Sequence, residues 1–436
     1  MLREEFHRPG GARGEGGHAI IDELAEQEIY RLLITAFPAY GYRGEELGFK
    51  ASPKDSGRHT WVVDPNDGTS DFLRGFRGSS VAIGLLHAGR PVLGVVYAYC
   101  APDSAGDLIA WAEGCGPVLR NGVPVQRAWP DRATEESVVL VSTYSDLKAE
   151  VNARTVAPMR FRATPSIAYR LAVIAVGDAD ATVSLNAPNS WDYAAGHALL
   201  IGAGANLADA AGRAVTYTAD GYSDCGGECY GGPEPLIWDL IDHDWRGVKR
   251  GARDRSTPFV RPARGHAIRD PGLLSRAQGA MIGLLATDAG KGAIEGQPDA
   301  AGEMALALAR SMIHSRGYHQ DPGRDTPGAM ARAVPIGIAY DPAKAAKIAD
   351  ADGGRAAALL AAKISEAVRS GGSASDIRER AVFGASRGLR ALPSRWTNRV
   401  LSARPIAGLM GVEHPRPPEC WPIDALQIAE QLLLIG

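Results

Sequence analysis

The chain has 436 residues, 45% of them hydrophobic and 22% charged, and 47 Lys and Arg against 50 Asp and Glu leave a formal net charge of -3. That length exceeds what one hydrophobic core usually serves and predicts two domains, while the near-neutral balance offers no broad basic surface and excludes a nucleic-acid binder that works by charge. No apolar run approaches the roughly 18 residues of a membrane span and no basic-then-apolar leader is visible, so no membrane partner is expected and the expected location is cytoplasmic.

The opening stretch LREEFHRPGGARGEGG, rich in Gly and charge, reads as a disordered tail. From Ile20 to Phe37 the apolar positions Ile21, Leu24, Ala25, Leu32, Leu33 and Ala36 fall on one helical face, and Pro38 stops the helix. Glu26 on this helix and Glu46 in the following GEELG read as surface charges. Trp61–Val63 read as a short buried strand, after which DPNDGTSDF brings Asp64 and Asp67. SVAIGLLHAGRPVLGVVYAYC then gives two β-rich runs around the turn-like HAGRP, the pattern of an antiparallel hairpin. Later comes SWDYAAG, in which Trp191 reads as a core aromatic fixing the Asp192 backbone and AAG as small residues that let a helix pack closely. These alternating patterns predict a layered α/β domain over residues 1–246.

The five cysteines are an odd, scattered set and read as reduced thiols rather than a disulfide framework. Cys225 and Cys229 lack two further ligands for zinc, so SDCGGECYGG reads as a glycine-rich surface loop. Between Arg246 and Asp270 the apolar period collapses into Arg, Gly and Pro, which places a solvated linker at 247–270. Residues 271–436 are Ala- and Leu-rich with helical spacing and predict a mainly α-helical second domain.

Three acidic segments carry the chemistry: GEELG with Glu45, DPNDGTSDF with Asp64 and Asp67, and SWDYAAG with Asp192. Hard divalent cations want oxygen ligands, and Mg²⁺ usually takes only a few carboxylates while leaving places for water and substrate phosphate. Asp64 and Asp67 bracket Pro65 and Asn66 just beyond a strand, an arrangement that lets both carboxylates and the Asn66 carbonyl face a pair of ions. Gly68 and Thr69 come next and open a helical turn whose free amides suit a phosphate. In isolation, DPNDG also reads as a plain turn.

GEE, then DPxDGTxxF, then WDxAAG, in this order and at this wide spacing, resemble the inositol monophosphatase superfamily, and SIAYRLAVIAVGDADATV ahead of WDYAAG strengthens the likeness, which covers roughly residues 18–245. The resemblance implies an αβαβα sugar-phosphatase fold and a Mg²⁺-dependent phosphomonoesterase acting on a small phosphorylated substrate, with a homodimer as the usual assembly. By motif position Glu45, Asp64 and the Asn66 carbonyl would hold one Mg²⁺, and Asp64, Asp67 and Asp192 a second, with a third ion assisted nearby. Glu45 and Thr69 would orient the attacking water, Asp22 would support Thr69 or the further ion, and Gly68 and Thr69 would meet the phosphate. Ser166 lies where the family contacts substrate or metal, and reads equally as a helix N-cap. Two departures bear on substrate preference: the family's lysine-bearing loop is replaced by the short opening stretch, with Arg8 or Arg13 as possible stand-ins, and Asp71 stands where Asn is usual.

From Leu274 the chain resembles ADP-ribosylglycohydrolases, in RAQGAMIGLLATDAGKGAIEGQ, GAMARAVPIGIAY, LRALPSRWTNRVL and RPPECWPIDALQIAEQLL. That family's metal-binding aspartates are missing: Ala300 and Ala301 occupy one expected pair and Ser373 and Ser375 lie near the other, although Asp288 and Glu295 remain at family-like positions. Alanine cannot hold Mg²⁺, so this resemblance implies a degenerate domain used for packing or recognition. A glycohydrolase ancestor joined to a phosphatase suggests a ribosyl or nucleotide phosphate, NAD-derived ones included, as substrate. The alternatives are a bifunctional phosphatase and N-ribosyl glycohydrolase, and a non-catalytic binding protein.

Overall fold

The structure is a computed structural model that describes residues 1–9, 11–51, 58–101, 105–249, 271–286, 300–315, 317–318, 329–369, 429 and 432–433. The chain divides into two compact units, Met1–Tyr144 with Arg154–Gly251, and Ser145–Ala153 with Ala252–Gly436.

In the first unit α1 (Leu2–Phe6) and a two-stranded ribbon of β1 (Gly14–Glu15) and β2 (His18–Ala19) lead into α2 (Ile20–Ala36). The opening stretch is therefore not a disordered tail. Phe6 is buried against Phe72 in one apolar cluster with Tyr99, and Glu5 receives the Arg13 amide at 2.8 Å and its guanidinium at 2.9 Å. The buried face of α2 also differs from the apolar count: Ile21, Asp22, Ala25 and Glu26 go inside, whereas Leu24 is 47% and Leu32 53% exposed. The reason is polar. Asp22 and Glu26 each find several hydrogen-bond donors, and further along the helix Ile29 and Leu33 pack on the cluster of Tyr42, Trp61 and Val63.

The large sheet has eight strands in the order β10-β9-β8-β7-β6-β5-β3-β4. Its members are β3 (Gly41–Gly44), β4 (Gly48–Lys50), β5 (His59–Asp67), β6 (Ser80–His87), β7 (Arg90–Ala98), β8 (Asp107–Ala112), β9 (Leu119–Arg120) and β10 (Val123–Pro124), with α3 (Thr69–Arg74) between β5 and β6. All its pairs are antiparallel except β3 with β5, and β6 and β7 form the hairpin expected around Ala88 and Gly89. The strand read at Trp61–Val63 runs on through the acidic motif to Asp67.

The small sheet has five strands, β11 (Val138–Val141), β12 (Arg160–Ala163), β13 (Ala181–Ser184), β14 (Asn206–Asp209) and β15 (Cys229–Gly232), in the order β12-β11-β13-β15-β14. Helix α4 (Ala149–Val156) precedes β12, α5 (Ile167–Ala175) follows it, and α6 (Ser190–Gly202) follows β13. Helices α5 and α6 pack on each other, and α6 lies on β6 and β7 of the large sheet and touches β14 and β15 of the small one. The AAG stretch does what its small side chains suggest, since a Cβ on Gly196 would sit 2.5 Å from the Leu171 Cβ. Helices α7 (Glu234–Ile241), which packs on β13 and β15, and α8 (Arg246–Lys249) complete this layered α/β unit.

Apart from Ser145–Ala153, which carries the first turns of α4, the described part of the second unit is helical: α9 (Pro271–Ala286), α10 (Ala300–Ser315), α11 (Ala329–Ala339) and α12 (Pro342–Arg369), the last broken at Gly354. Its core is Ala-rich, and a buried ion pair joins Arg332 to Asp352 at 2.8 Å, with the Tyr318 hydroxyl donating to Asp352 at 2.6 Å. Residues 250–270 of the expected linker, Asp288, Glu295, Ser373, Ser375, the closing LPxxW segment and Cys420 lie outside the described residues.

Candidate functional site

The end of β5 builds the site. Strand alternation alone would put Asp64 and Asp67 on opposite faces, three positions apart. Their partners on β6, Ala82 and Ser80, are only two apart, so β5 carries an extra residue at Pro65–Asn66. This bulge turns both aspartates to one side. Asp192, at the third position of α6, reaches the same place, and one carboxylate oxygen from each of Asp64, Asp67 and Asp192 lies within 4.8 Å of the others. Glu45 lies close enough to join them electrostatically, its charge and that of Asp64 acting on one another. Residues far apart in sequence thus meet at the ends of β3 and β5 and the start of α6.

Each acid is held from behind. The Asn189 amide donates to Asp192 Oδ2 at 2.7 Å, and the Asn66 amide to Asp64 Oδ1 at 2.8 Å. Asp67 Oδ2 accepts from the Ser166 hydroxyl at 2.6 Å and from the Ala168 amide at 2.7 Å. Ser166 is fully buried and forms the N-cap of α5, accepting from the Tyr169 amide at 2.8 Å, with Ser80 Oγ 2.9 Å away. The cap reading is thus formed, and the bond to Asp67 sets the same hydroxyl at the acidic cluster.

Asp22 sits under the start of α3. It accepts from Asn66 Nδ2 at 2.9 Å and from the Thr69 hydroxyl at 3.1 Å, and that hydroxyl is also 2.8 Å from the Asn66 carbonyl. Tyr99, which the sequence reading missed, donates to the Asn66 side-chain oxygen. Gly68 takes a left-handed conformation, φ 92°, as the N-cap of α3.

Glu26 corrects the surface-charge reading. It is fully buried and accepts from the Glu46 amide at 2.7 Å, the Leu47 amide at 3.1 Å and the Tyr42 hydroxyl at 3.1 Å, so it clamps the turn that presents Glu45. Gly44 is small for the same reason: a Cβ there would lie 1.7 Å from Glu26 Oε1. Glu46 is half-buried, 3.6 Å from His18 Nδ1. Trp191 is half-buried rather than a core aromatic, and its indole nitrogen is buried without a partner. Asp71, the departure from the family pattern, is buried and paired with Arg74 at 2.9 Å, with a further bond from the Thr143 hydroxyl. Its negative charge is compensated on the spot. Arg13, one proposed stand-in for the missing lysine, is held by Glu5. Cys225 and Cys229 are both buried, and Cys225 Sγ donates to the Pro188 carbonyl at 4.0 Å, so SDCGGECYGG is not simply a surface loop.

Burial and crowding govern the electrostatics. Desolvation first, and then repulsion from Glu45, Asp67 and Asp192, holds Asp64 well above the usual carboxylate range. Asp192 is raised well above it too, by burial and then by Asp67 and Glu45. Burial pushes Glu45 up to about 7, with Glu46, Asp67 and Asp22 adding to the push. Burial likewise takes Asp67 and Asp22 up to about 6, against the hydrogen bonds that favour their charged forms. Such a set of crowded oxygen donors favours anything that brings in positive charge.

The inositol monophosphatase family profile matches residues 2–228. The chain is 32% identical over 232 residues to inositol monophosphatase 2 of Solanum lycopersicum, covering 50% of this chain and 85% of that protein. It is 32% identical over 201 residues to the Nus factor SuhB of Xylella fastidiosa, covering 43% of this chain and 67% of that protein. It is also 32% identical over 160 residues to the 3'(2'),5'-bisphosphate nucleotidase CysQ of Escherichia coli, covering 36% of this chain and only 62% of the nucleotidase's length. Among solved structures, the Thermotoga maritima inositol monophosphatase is 25% identical, with 55% of this chain and 89% of that chain covered and a TM-score of 0.44. With the family profile spanning more than half of the sequence, the chain belongs to the inositol monophosphatase family, whose members are phosphoric monoester hydrolases.

Proposed function

We propose that the chain is a Mg²⁺-dependent phosphomonoesterase that releases phosphate from a small metabolite. The observation that carries this reading is the meeting of Asp64, Asp67 and Asp192 within 4.8 Å. The donor set fits the ion: all are hard oxygens, and the repulsion that raises their pKa values is what a divalent cation would relieve. In this reading Glu45, Asp64 and the Asn66 carbonyl would hold one Mg²⁺, and Asp64, Asp67 and Asp192 a second, with a third ion assisted nearby. Bound Mg²⁺ supplies positive charge to the phosphate and leaving oxygens and acidifies water.

The chain's own groups do the positioning. Glu45, clamped through Glu26, and the Thr69 hydroxyl, held by Asp22 and the Asn66 carbonyl, orient the attacking water for in-line displacement at phosphorus. The amides of Gly68 and Thr69 face the phosphate. Ser166 holds Asp67 through its hydroxyl, at the edge of the site where substrate would bind. Replacing Asp64 or Asp192 with Asn is expected to abolish phosphate release in Mg²⁺ while leaving the fold in place; retained activity in either variant refutes the assignment.

We place the substrate among ribosyl or nucleotide phosphates. The nucleotidase relative and the likeness of residues 274–434 to ADP-ribosylglycohydrolases support that choice. On the same likeness, residues 271–436 form a degenerate helical domain behind a phosphatase domain at 1–246 and a linker at 247–270, and the family resemblance favours a homodimer. A phosphate-release panel tests the substrate class: turnover of inositol phosphates alone would refute it. Release of free ribose would show instead that the second domain retains its own activity.

A further inference from the structure

Behind the acidic cluster lies a charge that the chemistry above does not use. Arg170, in the first turns of α5, is only 2% exposed. Its Nη1 donates to the Val183 carbonyl at 3.0 Å and the Thr182 hydroxyl at 3.5 Å, its Nη2 to the Ser184 hydroxyl at 3.1 Å, and its Nε to the Ser166 carbonyl at 3.4 Å. Every one of these acceptors is neutral, and among the described residues no carboxylate stands in ion-pair contact with the guanidinium. A cation buried this deeply is strongly unfavourable unless opposite charge is close by.

That charge comes from the functional site. Burial lowers the Arg170 pKa, and Asp67, Cys229 and Asp192 act against the shift. The link to Asp67 is short. Ser166 takes the Arg170 Nε on its carbonyl and gives its hydroxyl to Asp67 Oδ2 at 2.6 Å, while the Ala168 amide meets the same oxygen. A single residue, Ser166, thus joins the guanidinium to a carboxylate of the cluster.

We propose that Arg170 is a fixed counter-cation of the carboxylate cluster, a positioning residue whose charge offsets Asp67 and Asp192 when no divalent ion is bound and which thereby weakens the grip on that ion. The inference rests on the metal reading given above. Its physical consequence is opposite to that of a purely structural role: removing a structural prop loosens the ligands and weakens Mg²⁺ binding, whereas removing a competing positive charge tightens it.

Calorimetric titration of Mg²⁺ into the metal-free full-length chain tests it without reference to turnover. R170M is expected to bind Mg²⁺ roughly three- to tenfold more tightly than the wild type, and R170K, which keeps the charge, to stay within about twofold of the wild type on the same Coulomb argument. Should R170M fail to fold, S184D supplies the second arm, because a carboxylate placed beside the guanidinium neutralises its field and is expected to tighten binding in the same direction. Unchanged or weaker Mg²⁺ binding in R170M, or in S184D where R170M does not fold, overturns the inference alone, as does tightening by R170K equal to that of R170M. Absence of Mg²⁺ binding by the wild type contradicts the metal reading and this inference together.

Discussion

Replacing Glu26 with Ala removes the acceptor of three buried hydrogen bonds, from the Glu46 amide at 2.7 Å, the Leu47 amide at 3.1 Å and the Tyr42 hydroxyl at 3.1 Å. Each donor left without a partner costs about 1–3 kcal/mol. Part of that is returned, because burial and then the neighbouring Glu46 make the ionised carboxylate itself unfavourable and raise its pKa. A net loss of about 2–4 kcal/mol follows, which for a unit of this size lowers the thermal midpoint by roughly 4–16 °C. The larger consequence is catalytic. With the turn released, Glu45 is no longer held beside Asp64, and a displacement of about 1 Å at a reacting centre costs on the order of a hundredfold in rate. Thermal unfolding in Mg²⁺ and a phosphate-release assay read the two effects separately. E26Q restores one oxygen but turns an NH₂ toward a backbone amide, so it is expected to recover only part of the loss. A surface glutamate would move stability by no more than about 0.5 kcal/mol, and wild-type stability and rate in E26A would refute this account of the clamp.

G44A is expected to show the same loss of activity as E26A, because its Cβ would lie 1.7 Å from Glu26 Oε1; wild-type turnover would contradict the close packing. S166A removes the cap of α5 and one bond to Asp67, which costs about 1 kcal/mol for the cap alone; a thermal melt should show the drop, and an unchanged midpoint would contradict it. D22N takes a strong acceptor from Thr69 and Asn66 and is expected to lower kcat roughly ten- to hundredfold by misorienting the Thr69 hydroxyl, with kinetics over a range of substrate as the check. The pH dependence of the metal-free chain has a definite sign. Unfolded Asp and Glu ionise near 3.8 and 4.5, whereas Asp22 and Asp67 hold protons to about 6 and Glu45 to about 7 when folded. The folded state therefore binds more protons across that window, and stability falls as pH rises through it. Melts in EDTA should give a lower midpoint at pH 8 than at pH 5, with Mg²⁺ removing most of the difference; equal midpoints in EDTA would contradict the crowding.

The acidic segments were legible because their chemistry is written in local sequence. Glu45, Asp64 and Asp192 each sit beside residues that announce a turn or a helix start, and the layered α/β reading followed from the same alternation. The bulge at Pro65–Asn66 was not legible, since it depends on how β5 registers against β6, and no count along one strand reveals a partner's register. Glu26 was hidden for a different reason. On a helix, a buried clamp and a solvated charge look alike until the chain folding over them is known, although its position four residues after Asp22 was a usable hint. Arg170 carried the clearest missed signal, a single charge within the apolar run IAYRLAVIA, which has to find opposite charge somewhere inside the fold. Tyr99 had none, because its hydroxyl reaches Asn66 only through the packing of distant elements.

Crystals grown with Mn²⁺ and inorganic phosphate, measured at a wavelength where Mn²⁺ scatters anomalously, put the central claim to its most direct trial. Anomalous peaks within about 2.5 Å of oxygens from Asp64, Asp67 and Asp192, with phosphate beside them at the start of α3, are the predicted result. Bound phosphate with no peak among those three carboxylates, or peaks held by other residues, would contradict it.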